Sequence, residues 1–485
     1  MKLKIYTLLS LAFLMTLSLH AQEKWSLERC ILYAQENSLE IKQAKVNAQS
    51  AELDLKLNRS AGLPSINANV NGGMQFGRTI DPTTNQFRSE ATFFNSYGVT
   101  AQMTVYQGGR IRMGIKQSEL DVQAALLDVE SSSYNLSIDV ATAYLNILLS
   151  EEQLVLSRTQ LELTNQQLEQ TDKLIAAGSL PEVDRYDIVT QIAQRENDII
   201  TAQNSLDNAY LAMRQLLLID PSEPFDIEKP TIEIPENENA DLYTVQSVYS
   251  AALNTIPSIR AAELRKQSAV YTVDIAKTQL LPAFFVSGGL NTSYSDRGRQ
   301  IGGTSLETTT IPFVVSGVQA PFEALNGTPL NLNTSNEVPF FIDYPYFDQL
   351  SDNFGQSLSA GIQIPIFNRN SNVIAIQRAK LGVINADLND LQVKQGIQTA
   401  VLQAVTNAKA SQRSLAAFDR TYEASQIAFE NAQKRFELGA INTIELVQAR
   451  NTRDQSEINQ LRGKYQHFFN LKVVDFYLGK PLKIN

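Results

Sequence analysis

The stretch Phe436–Leu446, FELGAINTIEL, interrupts a segment that otherwise has the composition of one very long helix. An earlier stretch, Leu174–Asp184, LIAAGSLPEVD, shows the same order of features. In each stretch a glycine, Gly439 or Gly178, ends a helical pattern, and an acidic residue follows six positions later. A glycine just past a helix commonly adopts the left-handed conformation that ends it. The sequence therefore predicts two tight reversals between helices.

The two reversals are 261 positions apart, and the same offset relates two strand-like stretches upstream of them. Residues 97–106 and 358–367 both alternate apolar and polar side chains, and their apolar positions coincide at this offset. An earlier pair of strand-like stretches, 62–70 and 281–288, is offset by only 218 positions, so the second half carries about 43 extra residues between its strands. Self-similarity of this kind indicates an internal duplication.

The duplication predicts the organisation of the whole chain. We expect a signal peptide over 1–21, a first repeat over 22–218, a Pro- and Glu-rich connector over 219–242, a second repeat over 243–470 and a C-terminal tail over 471–485. The elements expected in the first repeat are strands 62–71 and 96–106, a long helix 110–177 and a helix 180–218. Those expected in the second repeat are strands 282–290 and 356–367 with a loop 291–354 between them, a long helix 371–438 and a helix 441–470.

Composition argues against several classes of function. The 485 residues carry a net charge of −10 without a block of Lys and Arg, so we expect no nucleic-acid binding. The first residues, MKLKIYTLLSLAFLMTLSLHAQ, have the pattern of a secretory signal, with Ala21 as the last residue before cleavage. Cys30 is the only cysteine, and His467 is the only histidine after the signal, so we expect no disulfide, metal site or cofactor. An enzyme is therefore not expected.

The predicted long helices are too long for a globular core. Neither run contains proline, and at 1.5 Å per residue each would extend for about 100 Å, so the helices must pack along their length. In the first helix, two series with seven-residue spacing lie on nearly opposite sides: Leu154, Leu161, Leu168 and Ile175, and Leu149, Leu156 and Leu163. Two opposed stripes suit a helix in a curved wall with a neighbour on each flank. An extended dimeric coiled coil is the alternative.

The four predicted strands have the length and the alternation of transmembrane barrel strands, although surface hairpins show the same pattern. Open strand edges are not tolerated in lipid, and four strands are fewer than the roughly eight of the smallest barrels, so several chains must pool their strands. The expected fold is mainly α with a small β part and is internally duplicated. In it, a long antiparallel coiled-coil α-barrel continues into a shared transmembrane β-barrel with four strands from each chain.

With this layout the chain resembles the TolC-type outer-membrane channels, the exit components of tripartite efflux pumps and type I secretion systems, in a Bacteroidetes-like form. The resemblance runs from the opening helix at 25–41 through both reversals. It includes the two strand–helix joints, at Gly108, Gly109 and Arg110 and at Asn368 and Arg369. It implies a homotrimer in the lipid of the cell outer membrane with a periplasmic extension, around which the connector and the C-terminal tail form an equatorial band.

The resemblance also implies a role for the two reversals. They would be periplasmic tips on which the helical hairpins of an adaptor (membrane fusion) protein dock, linking the channel indirectly to an inner-membrane pump of the RND or ABC type. The matching tip residues are Gly178, Ser179, Leu180, Gly439, Ala440 and Ile441.

In such channels, acidic residues just past the second tip narrow the entrance and select for cations. Glu445 matches the first of these positions, whereas Gln448 places an amide at the second. Asp184 and Tyr186 hold the places where the family makes the inter-helix bonds that keep the pore closed. From the residues alone, Glu445 fits equally a first-turn charge that meets the helix macrodipole, and Asp184 fits a structural role.

The expected function is a passive exit duct that opens when an adaptor and a pump engage its tips. The first rival is a periplasmic coiled-coil adaptor or scaffold without a pore. The second rival is an outer-membrane enzyme that uses a barrel as scaffold.

Overall fold

A computed structural model describes residues 24–80, 87–220, 222–229, 239–314, 316, 327 and 329–480. The predicted signal peptide at 1–21 lies outside these residues, as do parts of the predicted connector and tail. The chain divides into two compact units. The helical unit comprises the described residues up to 56, 114–273 and those from 375 onward, and the strand unit comprises 57–113 and 274–374.

Helices account for most of the described chain. In chain order they are α1 (Leu27–Asn37), α2 (Leu39–Ser60), α3 (Arg110–Ala176), α4 (Val183–Leu217), α5 (Val245–Thr255), α6 (Pro257–Thr278), α7 (Tyr346–Asp352), α8 (Ser371–Glu437) and α9 (Thr443–Tyr477), with a 3-10 turn at Ala240–Leu242. None of the helices in the described residues is long and apolar enough to cross a membrane.

The helix lengths repeat between the two halves. Helices α3 and α8 have 67 residues each, and α4 and α9 have 35 each. Helices α1 and α5 have 11 residues each, and α2 and α6 have 22 each. The first residues of α1 and α5 are 218 positions apart, whereas those of α3 and α8 are 261 apart. The predicted internal duplication is confirmed, including the change of offset between the two strands.

The strands lie in the strand unit. They are β1 (Ser65–Gln75), β2 (Thr79–Ile80), β3 (Phe87–Arg88), β4 (Thr92–Gln107), β5 (Ala283–Ser295), β6 (Arg299–Val314), β7 (Pro329–Asp343) and β8 (Gly355–Gln363). One antiparallel sheet has the order β1-β4-β5-β8, and two separate ribbons pair β2 with β3 and β6 with β7. The four strands of the sheet are those that the duplication predicts, two from each half.

The register of this sheet sorts its side chains onto two different faces. Members of the apolar face include Ile66, Val70, Val99, Met103, Val286, Leu290, Leu358 and Ile362. Members of the polar face include Asn67, Asn69, Thr100, Gln102, Ser287, Asn291, Ser357 and Ser359. Leu358 and Val70, on the apolar face, are 84% and 71% exposed in the single chain. Such a sheet has one face suited to lipid and one suited to water.

The expected loop at 291–354 is wrong, because most of this segment is regular. Strand β5 continues to Ser295, β6 and β7 pair over fifteen register positions, and α7 follows. The Thr, Ser and Asn content that suggests a loop instead supplies cross-strand pairs, such as Thr310 Oγ1 donating to Asn333 Oδ1 at 2.9 Å. The extra residues of the second half therefore build a β-ribbon.

Other element ends also differ from expectation, since β1 covers Ser65–Gln75 rather than 62–71 and β4 begins at Thr92 rather than at residue 96. Strand β8 ends at Gln363 rather than at residue 367, because Pro365 has no N–H to donate to a ladder. Helix α9 continues past residue 470 to Tyr477, since Leu471 and Val474 are buried and hold its last turns against the core. The start of the expected C-terminal tail is therefore helix.

The helical unit buries its apolar side chains in two clusters. One surrounds the fully buried Tyr144, whose hydroxyl donates to Glu228 O at 2.6 Å, and it includes Cys30. Burial raises the pKa of the Cys30 thiol to about 12. The second cluster contains Val405 and Leu471, from α8 and α9. His467 of α9 is buried nearby, with Nδ1 3.2 Å from Ser411 Oγ, as a structural histidine would be.

The buried stripe of the lower part of α3 is polar rather than leucine-rich. It consists of Ser157, Gln160, Thr164, Gln167 and Thr171, whereas Leu161 and Leu168 are only half-buried. Hydroxyls of this stripe bond back to the helix, as Thr164 Oγ1 does to Gln160 O at 2.8 Å. The two leucine series therefore remain partly open to further packing in the single chain.

The two strand–helix joints share one backbone conformation. Gly108 and Gly109 have φ of 58° and 81°, and Arg369 and Asn370, each 261 positions later, have φ of 57° and 63°. A Cβ on Gly108 would lie 2.7 Å from Leu281 Cδ1, so only glycine fits there. The duplication has kept the left-handed pair at the second joint with residues that adopt it at a cost in free energy.

Substitutions at the joints should have opposite effects on stability. Gly108→Ala should lower the free energy of unfolding by about 2 kcal/mol or more, because the new methyl group meets Leu281 in a left-handed backbone. Arg369→Gly should raise it by about 0.5–1 kcal/mol, because it relieves backbone strain. Denaturant unfolding of the detergent-solubilised protein measures both. A neutral Gly108→Ala or a destabilising Arg369→Gly would contradict this description of the joints.

Candidate functional site

Each reversal is a helix C-terminus closed by glycine. At the first tip, Gly178 has φ of 72°, its N–H donates to Ile175 O at 2.9 Å, and Ser179 N–H donates to Leu174 O at 2.9 Å. At the second tip, Gly439 has φ of 70° and donates to Phe436 O, and Ala440 donates to Arg435 O, both at 2.8 Å. This double bonding is the Schellman motif. The predicted left-handed glycines are confirmed.

The helix after the second tip begins with a side-chain cap. Asn442 precedes α9, and its Oδ1 accepts from Glu445 N–H at 2.9 Å. Glu445 is exposed in the first turn, where a carboxylate also meets the positive end of the helix dipole. Helix α4, after the first tip, has no side-chain cap at Glu182. The two tips therefore match at the glycine and differ at the cap.

Asp184, one of the predicted entrance residues, accepts a hydrogen bond from the second hairpin. Thr443, at the start of α9, is buried, and its Oγ1 donates to Asp184 Oδ2 of α4 at 3.4 Å. Glu445, Gln448 and Tyr186 are exposed in the single chain and do not come together with this pair.

The tips expose apolar side chains that the sequence reading does not single out. Leu438, Val183 and Ile444 are 83%, 63% and 61% exposed. Among the predicted docking residues, Gly178, Ser179, Gly439 and Ala440 are exposed, and Leu180 and Ile441 are half-buried. The described tips thus carry apolar surface on both hairpins.

A buried polar contact holds α4 against α9 further from the tips. Arg195 of α4 donates from Nη2 to Asn451 Oδ1 at 2.6 Å and to Asp454 Oδ2 at 3.0 Å. Its Nη1 donates to Gln160 Oε1 of α3 at 3.2 Å. Asp454 is 2% exposed. We name Arg195, Asn451 and Asp454 the α4–α9 clamp.

Two further arginines of α9 extend this polar layer. Arg450 donates from Nη1 to Gln167 Oε1 of α3. Arg453 contacts Glu457 at 3.4 Å, and both guanidinium groups lie over the ring of Phe429, at 5.5 Å and 5.2 Å from its centroid. Guanidinium groups stack well on aromatic rings. The layer therefore connects all four helices that form the two hairpins.

The charges of this layer depend on one another. Burial raises the pKa of the Asp454 carboxyl, and Arg453, Arg195 and Arg450 act against that rise. Burial also lowers the pKa of Arg450. A buried ion that loses its partner is strongly unfavourable, so Asp454 and the arginines around it stabilise each other's charged forms, whereas Arg453 and Arg195 disfavour the charged form of Arg450.

Sequence reasoning does not find the clamp. The only local signal is the spacing of Arg450, Arg453, Asp454 and Glu457 along one helix, which usually marks a solvated face. The partner Arg195 is 259 positions from Asp454, and nothing in the residues links them. Within the described residues, no group of three or more His, Cys, Asp or Glu side chains is placed to hold a metal ion.

Removing the clamp arginine should destabilise the hairpins. Arg195→Met leaves the buried Asp454 with Arg453 Nη2, at 3.1 Å, but without its α4 partner, and should lower the free energy of unfolding by about 1–3 kcal/mol. Denaturant unfolding measures the change. Arg158→Met, at an exposed arginine of α3, is the matched control and should stay within about 0.5 kcal/mol of the parent.

A double variant separates loss of pairing from loss of packing. Arg195→Met combined with Asp454→Asn removes the buried carboxylate together with its α4 partner, but it also takes the counter-charge from Arg450 and Arg453, so it should recover only part of the lost stability. Equal stability of Arg195→Met and Arg158→Met would show that the clamp does not hold the hairpins together.

Comparison with known proteins identifies the family. The model of the family described as outer membrane efflux protein matches residues 31–217 and 248–479, one stretch in each half. No curated protein matches the chain.

Solved structures show the same fold at low sequence identity. The outer membrane protein VceC from Vibrio cholerae is 15% identical, with a TM-score of 0.72 over 93% of this chain and 96% of that chain. The MtrE outer membrane channel of Neisseria gonorrhoeae is 18% identical, with a TM-score of 0.67 over 93% and 88%. CusC, solved in a study of transmembrane channel formation, is 18% identical, with a TM-score of 0.71 over 95% of both chains.

These matches confirm the expected fold class, mainly α with a small β part and duplicated. The family match also places the protein in the outer membrane. The family match covers most of the chain, and it spans both repeats. The chain therefore belongs to the outer membrane efflux protein family and is an outer-membrane exit duct.

Proposed function

We propose that three copies of this chain form one passive duct for a tripartite efflux pump or a type I secretion system. The observation that carries the proposal is the four-stranded sheet, with an apolar face, a polar face and two free edges. A sheet of this kind is stable in lipid only when its edges are paired. The number of three copies per duct is what the resemblance to the TolC-type channels implies.

The strand order is suited to closure between copies. Each neighbouring pair in β1-β4-β5-β8 is antiparallel, so the edge strands β1 and β8 run in opposite directions. When β8 of one copy lies beside β1 of the next, the antiparallel alternation continues around the barrel. Every copy then contributes an apolar stripe to the outside and a polar stripe to the bore.

The second tip supplies the entrance charge. In a trimer, three exposed Glu445 side chains gather where α9 begins, and like charges at close range attract cations and repel one another. Gln448, one turn further along α9, adds no charge, so the entrance has a single acidic ring.

Opening requires the hairpins of each copy to separate. The Thr443–Asp184 hydrogen bond and the α4–α9 clamp both connect α4 to α9, so they favour a narrow entrance. The exposed Leu438, Val183 and Ile444 are apolar contacts for the helical hairpins of a periplasmic adaptor. An adaptor that binds better to separated tips shifts the duct toward its open state. The inner-membrane pump, of the RND or ABC type, acts through that adaptor.

Planar-bilayer recording of the purified, detergent-extracted protein tests the duct and its entrance. The parent protein should form pores that prefer cations, and Glu445→Gln should lower the cation-to-anion permeability ratio at least twofold, because it removes the acidic ring. Glu437→Gln, an exposed carboxylate at the end of α8, is the control and should change the ratio less.

The recordings test the existence of a duct and the role of Glu445 separately. Absence of conductance from every variant would contradict a duct. Conductance with the same selectivity in the parent protein and Glu445→Gln would contradict only the role of Glu445.

A further inference from the structure

Glycines on the polar face of the sheet are covered by side chains from the neighbouring strand. Gly73 is paired with Phe94, and a Cβ at Gly73 would lie 3.1 Å from Phe94 Cζ. Gly361 is paired with Phe285, and a Cβ there would overlap the Phe285 ring. Both rings therefore lie flat along the sheet instead of standing away from it.

Polar side chains of the same face behave in the same way. The Asn69, Asn291 and Ser357 side chains would meet a Cβ on their register partners, Gly98, Gly355 and Gly289, at 2.7, 3.1 and 2.9 Å. The side chains of the polar face therefore lie close to the backbone of the sheet and extend over the neighbouring strand. A wide bore results when such faces from several copies close into a barrel.

The chemistry of this face is uniform. The residues of β1, β4, β5 and β8, all of them described, include no Asp, Glu, Lys or Arg. On the polar face they are Ser, Thr, Asn, Gln and Gly, apart from Ala283 and the two phenylalanines. A charged molecule meets no counter-charge there, whereas a neutral molecule keeps hydrogen bonds to hydroxyls and amides.

The two aromatic rings lie near opposite ends of the sheet. Phe94 is paired with Ser295 of β5, which lies ten positions from Phe285 on that strand. At 3.3 Å per residue, the rings are about 30 Å apart along the strand. One ring therefore lies near each end of the bore.

We propose that Phe94 and Phe285 are cargo contacts within the exit bore, and that the bore favours uncharged molecules with an aromatic or other flat apolar surface. The inference rests on the proposed function, because the polar face lines a bore only when several copies close the barrel. Aromatic rings prefer offset-stacked and edge-to-face partners, which an aromatic cargo supplies and a small polar one does not. The flat orientation of both rings leaves one aromatic face directed at the bore.

Covering glycines is the competing role for these rings, since an aromatic side chain can protect the backbone of a neighbouring glycine. The neighbouring residues Phe93 and Phe284 provide matched controls, because their register partners Met74 and Ile362 place them on the apolar face. Phe→Leu substitutions keep an apolar cover over the glycine and remove the aromatic face.

Single-channel recording with two glucosides tests the inference. Phenyl β-D-glucoside and methyl β-D-glucoside are both neutral and differ in one aromatic ring, and each is added to either side of the bilayer in turn. In the parent protein, current blockades by the phenyl compound should last about two- to tenfold longer than those by the methyl compound. The Phe94→Leu/Phe285→Leu variant should abolish the difference, and Phe94→Tyr/Phe285→Tyr should retain it.

The Phe93→Leu/Phe284→Leu control should leave the blockades unchanged, and open-channel conductance equal to that of the parent verifies folding in every variant. Equal blockades by the two glucosides in the parent protein, or a difference that survives in Phe94→Leu/Phe285→Leu, would overturn the inference. Loss of all conductance in the parent protein would instead overturn the duct itself.

Discussion

A helix of 67 residues cannot bury its apolar side chains in one globular core, and the rest of this structure depends on that constraint. The buried residues of α3 extend from Ser118 to Thr171, so packing must continue along nearly the whole helix. A long helix stays packed only if its partner runs back beside it. The glycine tips reverse the chain direction. Gly178 ends α3 and Gly439 ends α8, and in each case the next helix begins within a few residues.

The duplication explains the layout, and the two repeats differ at the residues through which α4 and α9 contact each other. Positions 261 residues before Arg450, Arg453 and Asp454 are Val189, Ile192 and Ala193. One copy of the helix therefore has apolar side chains where the other has buried charges. The first repeat contributes Arg195 and Asp184 and the second contributes Asp454 and Thr443, so the contacts between α4 and α9 depend on both repeats.

Local chemistry made much of the fold predictable. Glycine spacing predicted both tips, the change of offset located the extra residues of the second half, and strict alternation located four strands that pair in one sheet. The β6–β7 ribbon was missed because Thr, Ser and Asn suit both loops and exposed strands. The clamp was missed because its members are brought together only by the packing of α4 on α9. Nothing in the sequence distinguishes the buried Gln160 and Gln167 from exposed glutamines, because the arginines to which their amide oxygens bond, Arg195 and Arg450, lie on other helices.

Pairing of β1 of one copy with β8 of the next is required to close the proposed barrel. Its most direct measurement is intermolecular disulfide formation between a cysteine at Asn67 in β1 and a set of single cysteines along Gly355–Gln363 in β8. Cys30 is buried, and a Cys30→Ala background removes it from the experiment. Cross-linked species of two and three chains, and no larger ones, should form at positions on alternate residues of β8. Absence of cross-links along the whole of β8, or a ladder that continues beyond three chains, would contradict closure of the barrel by three chains.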